Sequence, residues 1–87
     1  MIRLFVSDID GCLSEAYRPY DIPAFSRLAA MVADAGGLGD KPGIPAFSLC
    51  SGRAFAYVEA MTQLLGISTP VLFEAGGGIF DPVAVRV

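Results

Sequence analysis

The chain has 87 residues, of which 54% are hydrophobic and 17% charged, and its formal net charge is −3. So short and apolar a chain forms at most one small domain, and it is typical of a piece of a larger folded unit or of a chain with a large partner interface. No apolar run reaches the roughly 18 residues of a membrane span, the first residues are not expected to form a secretory signal, and the acidic balance disfavours nucleic-acid binding.

The residue types that are missing or scarce narrow the possible chemistry. The 87 residues include no histidine, which excludes Ser-His-Asp and Cys-His catalysis within this chain and disfavours a zinc site. Two cysteines, Cys12 and Cys50, do not make a disulfide framework, so we expect free thiols in a reducing cytoplasm. Catalysis by these residues would therefore depend on carboxylates, hydroxyls, backbone amides and a hard cation.

The first half of the chain predicts a strand followed by a helix. Residues 2–8 form a short, mostly apolar run, typical of a strand buried on both faces in a parallel sheet. Residues 9–21 are predicted to be a loop. Asp21 can cap a helix that tolerates Pro23 in its first turn and ends at Gly36 and Gly37.

The second half repeats this alternation. Residues 44–52 predict a second strand, 53–66 a second helix that ends at Gly66, and 70–74 a third strand. The last residues predict a fourth strand or a hairpin arm, with a turn near Asp81 and Pro82. The order β-α-β-α-β indicates an α/β fold with a parallel sheet, partial and Rossmann-like, and no domain boundary is evident.

Three unusual segments follow the three predicted strands. They are Asp8-Ile9-Asp10-Gly11, Ser51-Gly52-Arg53 and residues 74–78. Ligands of open parallel sheets bind outside the carboxyl ends of the strands, so the shared location indicates a site at that edge. The third segment is more simply interpreted as a glycine-rich connection than as a ligand site, because it does not have the order of a dinucleotide-binding loop.

The paired acids of the first segment suit phosphate and metal chemistry. Asp8 and Asp10 lie two residues apart, so in extended chain they can face one cleft, where Mg²⁺ would relieve their repulsion. One carboxylate can act as a nucleophile and the other as a general acid and base, while Gly11 lets backbone amides approach a phosphate. The alternative is a turn with solvated acids. An EF-hand is rejected because Cys12 stands where the third ligand should be.

The second segment predicts an anion site. Ser51 and Gly52 end a strand and open a helix, where a hydroxyl and backbone amides can bind phosphate, although Ser51 could equally be only a helix cap. Arg53 either contacts the substrate or is solvated, and we prefer the solvated interpretation. Tyr17 and Tyr20 could line an entrance, but surface packing is the simpler interpretation, and Lys41 is expected to be exposed.

Together these segments resemble the haloacid dehalogenase-like hydrolase superfamily. "FVSDIDGCL" resembles its first motif, "SLCSGR" its second, and "PVLFEAGGGIFD" is similar to the third-strand region of the Cof-type and phosphoglycolate-phosphatase-like branch. Two residues depart from the pattern. Ala75 replaces the usual Asn of an Asn-Gly pair, and Cys12 replaces the usual Thr or Val.

The resemblance implies a Mg²⁺-dependent phosphatase that acts on a small phosphorylated metabolite through an aspartyl-phosphate. Asp8 would be the nucleophile and a metal ligand, Asp10 the general acid and base that gives its backbone carbonyl to the metal, and Ser51 a phosphoryl ligand. The family also needs a lysine and a later acidic pair. We expect residues 1–87 to be the N-terminal part of the core domain, without its C-terminal half or a cap domain, and to be inactive or nearly so alone.

Two other classes of protein are alternatives to this interpretation. The first is a non-catalytic half-domain that pairs with itself or with another chain, because the apolar fraction is high and the predicted sheet would end on an uncovered edge. The second is a receiver domain, which is disfavoured because receivers place the acceptor aspartate after a later strand. We expect no nucleic-acid or membrane partner.

Overall fold

A parallel pair of strands and an antiparallel hairpin form the β-structure of the chain, and two helices pack against it. The computed structural model describes residues 2–15, 18–37 and 43–87. Its elements in chain order are β1 (Leu4–Ser7), α1 (Ile22–Ala35), β2 (Ala46–Leu49), α2 (Phe55–Leu65), β3 (Val71–Phe73), a 3₁₀ turn (Glu74–Gly76) and β4 (Gly78–Phe80). This confirms the predicted α/β class and order.

The strands pair as the predicted topology requires. β1 runs parallel to β2, with Leu4 opposite Ala46 and Ser7 opposite Leu49. A single parallel bridge between Cys50 and Leu72 connects β2 to β3. β3 and β4 form an antiparallel hairpin, which confirms the hairpin alternative for the C-terminal region.

The helices begin and end where local chemistry allows. The Asp21 carboxylate accepts the Ala24 N–H at 3.1 Å, with Pro23 in the first turn, as predicted for α1. α2 ends at Gly66, a left-handed residue whose N–H donates to Thr62 O at 2.8 Å. The predicted start of α2 at residue 53 is wrong, because the helix begins at Phe55 behind Ala54, which offers no side-chain cap.

The core lies between the strands and the two helices. Its most deeply buried apolar side chains, each at most 1% exposed, come from the strands, α2 and the loop after β1: Ile9, Ala46, Leu49, Val58, Leu65 and Val71. A second aromatic layer closes the core at β3 and β4, where the Phe55 ring lies 5.3 Å from Phe73 and 5.2 Å from Phe80, measured between ring centroids.

β1 is not buried on both faces, contrary to the sequence prediction. Leu4, Phe5 and Val6 are 42%, 54% and 49% exposed, whereas all four residues of β2 are buried. Phe5 stacks on Phe47 on the α1 side, so Leu4 and Val6 lie on the opposite face. A strand is buried on both faces only when other elements pack on both of them, and the face with Leu4 and Val6 is half exposed. Among the described residues, no strand pairs with the outer edge of β1 either.

Tight turns complete the C-terminal part. Asp81 and Arg86 pair through two backbone hydrogen bonds of 2.7 and 3.2 Å, and the Asp81 carboxylate accepts the Val83 and Ala84 N–H groups, which confirms the predicted turn. Within residues 2–15, 18–37 and 43–87, no helix is long and apolar enough to cross a membrane. The predictions for Tyr17 and Lys41 fall outside the described residues.

Gly78→Ala is expected to destabilise the fold. A Cβ at residue 78 would overlap the ring of Phe73, which is itself buried in the core. We expect the free energy of unfolding to fall by about 1–3 kcal/mol in urea titrations, a typical cost of overpacking. Gly52→Ala is the control, since a Cβ there meets nothing within 4 Å. Equal losses in the two variants would contradict the packing at residue 78.

Ala75→Gly is expected to stabilise the fold. Ala75 has φ 54° and ψ 38°, a left-handed conformation that costs an L-residue about 1–2 kcal/mol and costs glycine nothing. Because glycine also loses more backbone entropy on folding, the net gain in unfolding free energy should be about 0.5–1 kcal/mol. The matched control is Ala60→Gly on the exposed side of α2, which should lose about 1 kcal/mol. A loss at both positions would contradict the left-handed turn.

Candidate functional site

The three segments that follow β1, β2 and β3 meet at one edge of the molecule. Cys50 N–H donates to Ser7 O at 2.9 Å, so the end of β2 lies beside the end of β1. Ser51 N–H then donates to Leu72 O at 3.1 Å, and Ser51 O accepts the Ala75 N–H at 2.9 Å. The residues that the sequence singled out on three separate segments are therefore joined by main-chain hydrogen bonds.

Asp8 presents an exposed carboxylate at the end of β1. Its Oδ1 accepts the N–H of Ile9 at 2.7 Å, and its carbonyl accepts the Ser7 hydroxyl at 2.7 Å. Ile9 is fully buried, which anchors the backbone between the two acids. Among the described residues, the other carboxylate oxygen of Asp8, Oδ2, accepts no hydrogen bond.

Asp10 forms a two-point ion pair with Arg53. Arg53 Nε donates to Oδ2 at 2.7 Å and Nη2 to Oδ1 at 2.8 Å. These hydrogen bonds are the largest cause of a pKa of Asp10 below its usual value. Desolvation acts in the opposite direction, and the charge of the guanidinium lowers the pKa further. Any stability from this pair is present above the ordinary carboxyl pKa and is lost as pH falls through the lowered one. Arg53 is thus bound to an acid and not merely solvated.

Two tyrosines extend this ion pair. The Arg53 guanidinium lies over the ring of Tyr57, 4.5 Å from its centroid, and the Tyr57 and Tyr20 hydroxyls are 3.0 Å apart. The hydrogen bond with Tyr20, followed by desolvation, raises the pKa of Tyr57. Tyr20 also packs edge-on against Phe25, which agrees with the packing interpretation. Sequence reasoning missed Tyr57, although its spacing of four from Arg53 was an available signal.

Ser51 is held at the centre of the site. It is 2% exposed, and its Oγ accepts the Arg53 N–H at 3.0 Å, so it closes a tight turn before α2 and is not the cap of that helix. A hydroxyl oxygen that already accepts can still donate its own hydrogen to an anion. Gly52, next in the chain, is exposed.

The loop after the paired acids is already closed upon itself. Gly11 has φ 83°, the positive value that favours glycine, and its N–H donates to Ser14 O at 2.6 Å. In this conformation the Gly11 amide therefore serves the turn. Cys12 and Cys50 are both free thiols, the former exposed and the latter half-buried.

The glycine-rich segment packs against the second motif. Glu74 N–H donates to Arg53 O at 2.9 Å, which places the 3₁₀ turn beside the Ser51 turn. Glu74 and Ala75 both have positive φ, at 50° and 54°, and Gly76 has φ 93°. Gly76 is the one glycine of this segment with positive φ, because Gly77 has φ −69° and Gly78 is part of β4.

The metal-binding capacity of the described residues is partial. No group of three or more His, Cys, Asp or Glu residues lies close enough together within them to hold a metal ion. Both Asp10 carboxylate oxygens are bonded to Arg53, so the hard oxygen donors left here are the Asp8 carboxylate and the Asp10 carbonyl. These two suit Mg²⁺, which keeps several waters, and further ligands would have to come from elsewhere.

Comparison with known proteins gives relatives of greater length. No protein-family profile matches the chain. It is 35% identical over 81 residues to a phosphoglycolate phosphatase of Thermoplasma acidophilum. The aligned region covers 93% of this chain and 32% of that protein. A crystal structure of a Thermoplasma acidophilum protein superposes with a TM-score of 0.69 at 32% identity, over 93% of this chain and 32% of the other.

A second solved structure shares the fold. It is a haloacid dehalogenase-like hydrolase from Bacteroides thetaiotaomicron, with a TM-score of 0.72 at 20% identity over 99% of this chain and 30% of that one. The chain thus spans about a third of the length of each relative. The finer assignment to the Cof-type branch stays a prediction. Sequence similarity to a phosphatase, the shared fold and the motifs at the strand ends together confirm the resemblance to the haloacid dehalogenase-like hydrolase superfamily.

Proposed function

We propose that this chain is the N-terminal part of the core domain of a Mg²⁺-dependent phosphatase that hydrolyses a small phosphorylated metabolite. The observation that carries the proposal is the meeting of Asp8, Asp10 and Ser51 at one strand edge, where Arg53 bonds to both Asp10 and Ser51. The relative's name, phosphoglycolate phosphatase, supports a small phosphorylated substrate. The free thiols of Cys12 and Cys50 fit a reducing cytoplasm.

Each group has a defined part in the proposed reaction. The free carboxylate oxygen of Asp8 attacks phosphorus, forming an aspartyl-phosphate as the bond to the leaving oxygen breaks. In its protonated form, which the ion pair with Arg53 disfavours, Asp10 gives its proton to that leaving oxygen, and as a carboxylate it later takes one from the water that attacks phosphorus and releases Asp8 and inorganic phosphate. The Ser51 hydroxyl donates to a phosphoryl oxygen, and the Gly11 and Gly52 backbone allows the phosphate to approach closely. Bound Mg²⁺, held by Asp8 and the Asp10 carbonyl, would neutralise phosphoryl charge.

We propose further that turnover needs polypeptide beyond these residues. The relatives are about three times as long as the aligned region, and the described residues offer Mg²⁺ no third acid. By the family resemblance, turnover would also need a lysine, an acidic pair and a cap domain. Further core structure would pack on two parts of β1: the edge that no described strand pairs with, and the face that carries Leu4 and Val6, which is its outer face.

The assignment of Asp8 is tested by phosphatase assays with Mg²⁺ and p-nitrophenyl phosphate. The 87-residue chain should show little turnover, whereas the same residues joined to the unaligned remainder of the Thermoplasma phosphatase should be active. In that active form Asp8→Asn should abolish turnover, because the amide cannot form the acyl phosphate, while Asp34→Asn, an exposed position in α1, should be neutral.

Two outcomes would contradict these assignments. Robust turnover by the 87 residues alone would refute the claim that they are incomplete. Full activity of Asp8→Asn would refute the nucleophile.

The second candidate function, a half-domain that pairs with itself or with another chain, is favoured by β1. An apolar strand with an open edge and a half-exposed outer face is a template for strand pairing. On this alternative the purified chain would associate through β1 without any catalytic role.

Sedimentation measures this association directly. The chain should sediment as a dimer or larger species at high concentration, and Val6→Lys should shift it to the monomer by placing charge on the outer face of β1. Leu64→Lys is the matched control, because Leu64 is 64% exposed but lies on α2. A clean monomer at high concentration, or equal effects of the two lysines, would argue against pairing through β1.

A further inference from the structure

We infer that Arg53 is the positioning residue of this site: it fixes the direction of the Asp10 carboxylate and joins the three strand ends into one rigid edge. The inference rests on the proposed function, since it assigns Asp10 the proton transfer. It concerns a residue that the sequence suggested only as a substrate contact or a solvated side chain. Three sets of contacts carry it.

The first set is the side-chain contact with Asp10. A guanidinium that donates through Nε and Nη2 to both oxygens of one carboxylate fixes the plane of that carboxylate as well as its position. Each carboxylate oxygen keeps a second lone pair, so proton transfer remains open to Asp10. The Asp10 side chain is only one-third exposed and that of Arg53 one-quarter, so the pair lies within the site wall and not in bulk solvent.

The second set is made by the main chain of the same residue. Arg53 N–H donates to Ser51 Oγ at 3.0 Å, and Arg53 O accepts the Glu74 N–H at 2.9 Å. Through its side chain, N–H and carbonyl, Arg53 therefore contacts the segments after β1, β2 and β3. No two of these segments are close in sequence, so one residue couples the placement of the acid to that of the phosphate-binding hydroxyl.

The third set is the contact between the Arg53 guanidinium and the ring of Tyr57. The ring of Tyr57 lies 4.5 Å from the guanidinium carbon and restricts the side chain of Arg53 to one side. Tyr57 is held in turn by the Tyr20 hydroxyl, at 3.0 Å, and Tyr20 also reaches the sulfur of Met61 at 3.5 Å. Arg53 is thus held at both ends, which is the arrangement that a positioning residue needs.

The competing role for Arg53 is direct binding of the substrate phosphate. The fork formed by Nε and Nη2 already points at Asp10, so a substrate phosphate would have to bind the remaining N–H groups of the guanidinium. The two roles differ in kinetics. A phosphate ligand affects KM for every substrate, whereas a residue that directs the leaving-group acid affects kcat, and most strongly when the leaving group needs a proton.

The kinetic test uses the active, extended form of the chain with two substrates. p-Nitrophenolate leaves without a proton, whereas the alcohol of phosphoglycolate needs one. Arg53→Met should lower kcat for phosphoglycolate by about 10- to 100-fold, the scale of a misplaced catalytic group, with a much smaller loss for p-nitrophenyl phosphate and little change in KM. Arg53→Lys should restore only part of the loss, because an ammonium cannot form the fork. Tyr57→Phe, which keeps the ring and removes the Tyr20 contact, should lose less than Arg53→Met.

A second measurement on the 87-residue chain needs no activity. Three-bond NMR couplings of Asp10 should report one χ1 rotamer in the wild type and in Tyr57→Phe, and rotamer averaging in Arg53→Met. Unchanged amide shifts for Val58 and Leu65 would show that the variant remains folded. If no form of the protein hydrolyses phosphate, the proposed function fails while these couplings still decide whether Arg53 positions Asp10.

Three results would overturn the inference. A single Asp10 rotamer in folded Arg53→Met would show that the carboxylate is fixed without Arg53. Equal losses of kcat for the two substrates would show that the loss is unrelated to leaving-group protonation. A raised KM with unchanged kcat would identify Arg53 as a substrate ligand instead.

Discussion

The parallel pairing of β1 with β2 is the constraint on which the rest of the structure depends. Parallel strands place their carboxyl ends at the same edge, so the register that sets Ser7 opposite Leu49 also sets Asp8 to Asp10 beside Cys50 to Arg53. The hydrogen bonds from Cys50 to Ser7 and from Ser51 to Leu72 continue this alignment past the strands. The site is therefore a consequence of sheet geometry before any side chain contributes.

The two faces of β1 are unequally buried in this arrangement. α1 packs on the face that Phe5 and Phe47 share, while Leu4 and Val6 lie on the other face at roughly half exposure. The uncovered surface of β1 begins at the strand whose end carries the paired acids. Both functional proposals draw on this fact, because additional structure that covered β1 would also lie next to Asp8.

Local sequence features predicted the local structure well. Asp21, Pro23 and Gly66 marked helix boundaries where the structure has them, because capping and left-handed termination depend on neighbouring residues alone. The start of α2 was misplaced since Ser51, which has the chemistry of a cap, is used in a turn with Arg53. The burial of β1 was overestimated because an apolar run specifies what a strand can bury and not what is present to cover it.

The amino-acid sequence by itself determined the alternation of strands and helices, the resemblance to the superfamily, and the placement of Asp8, Asp10 and Ser51 at strand ends. These follow from apolar periodicity and short motifs, which are properties of neighbours in the chain. Only the tertiary structure decided that Arg53 bonds to Asp10, 43 residues away, and that Tyr57 and Tyr20 support it. A contact between distant residues depends on how the strands pair, and no local pattern records it.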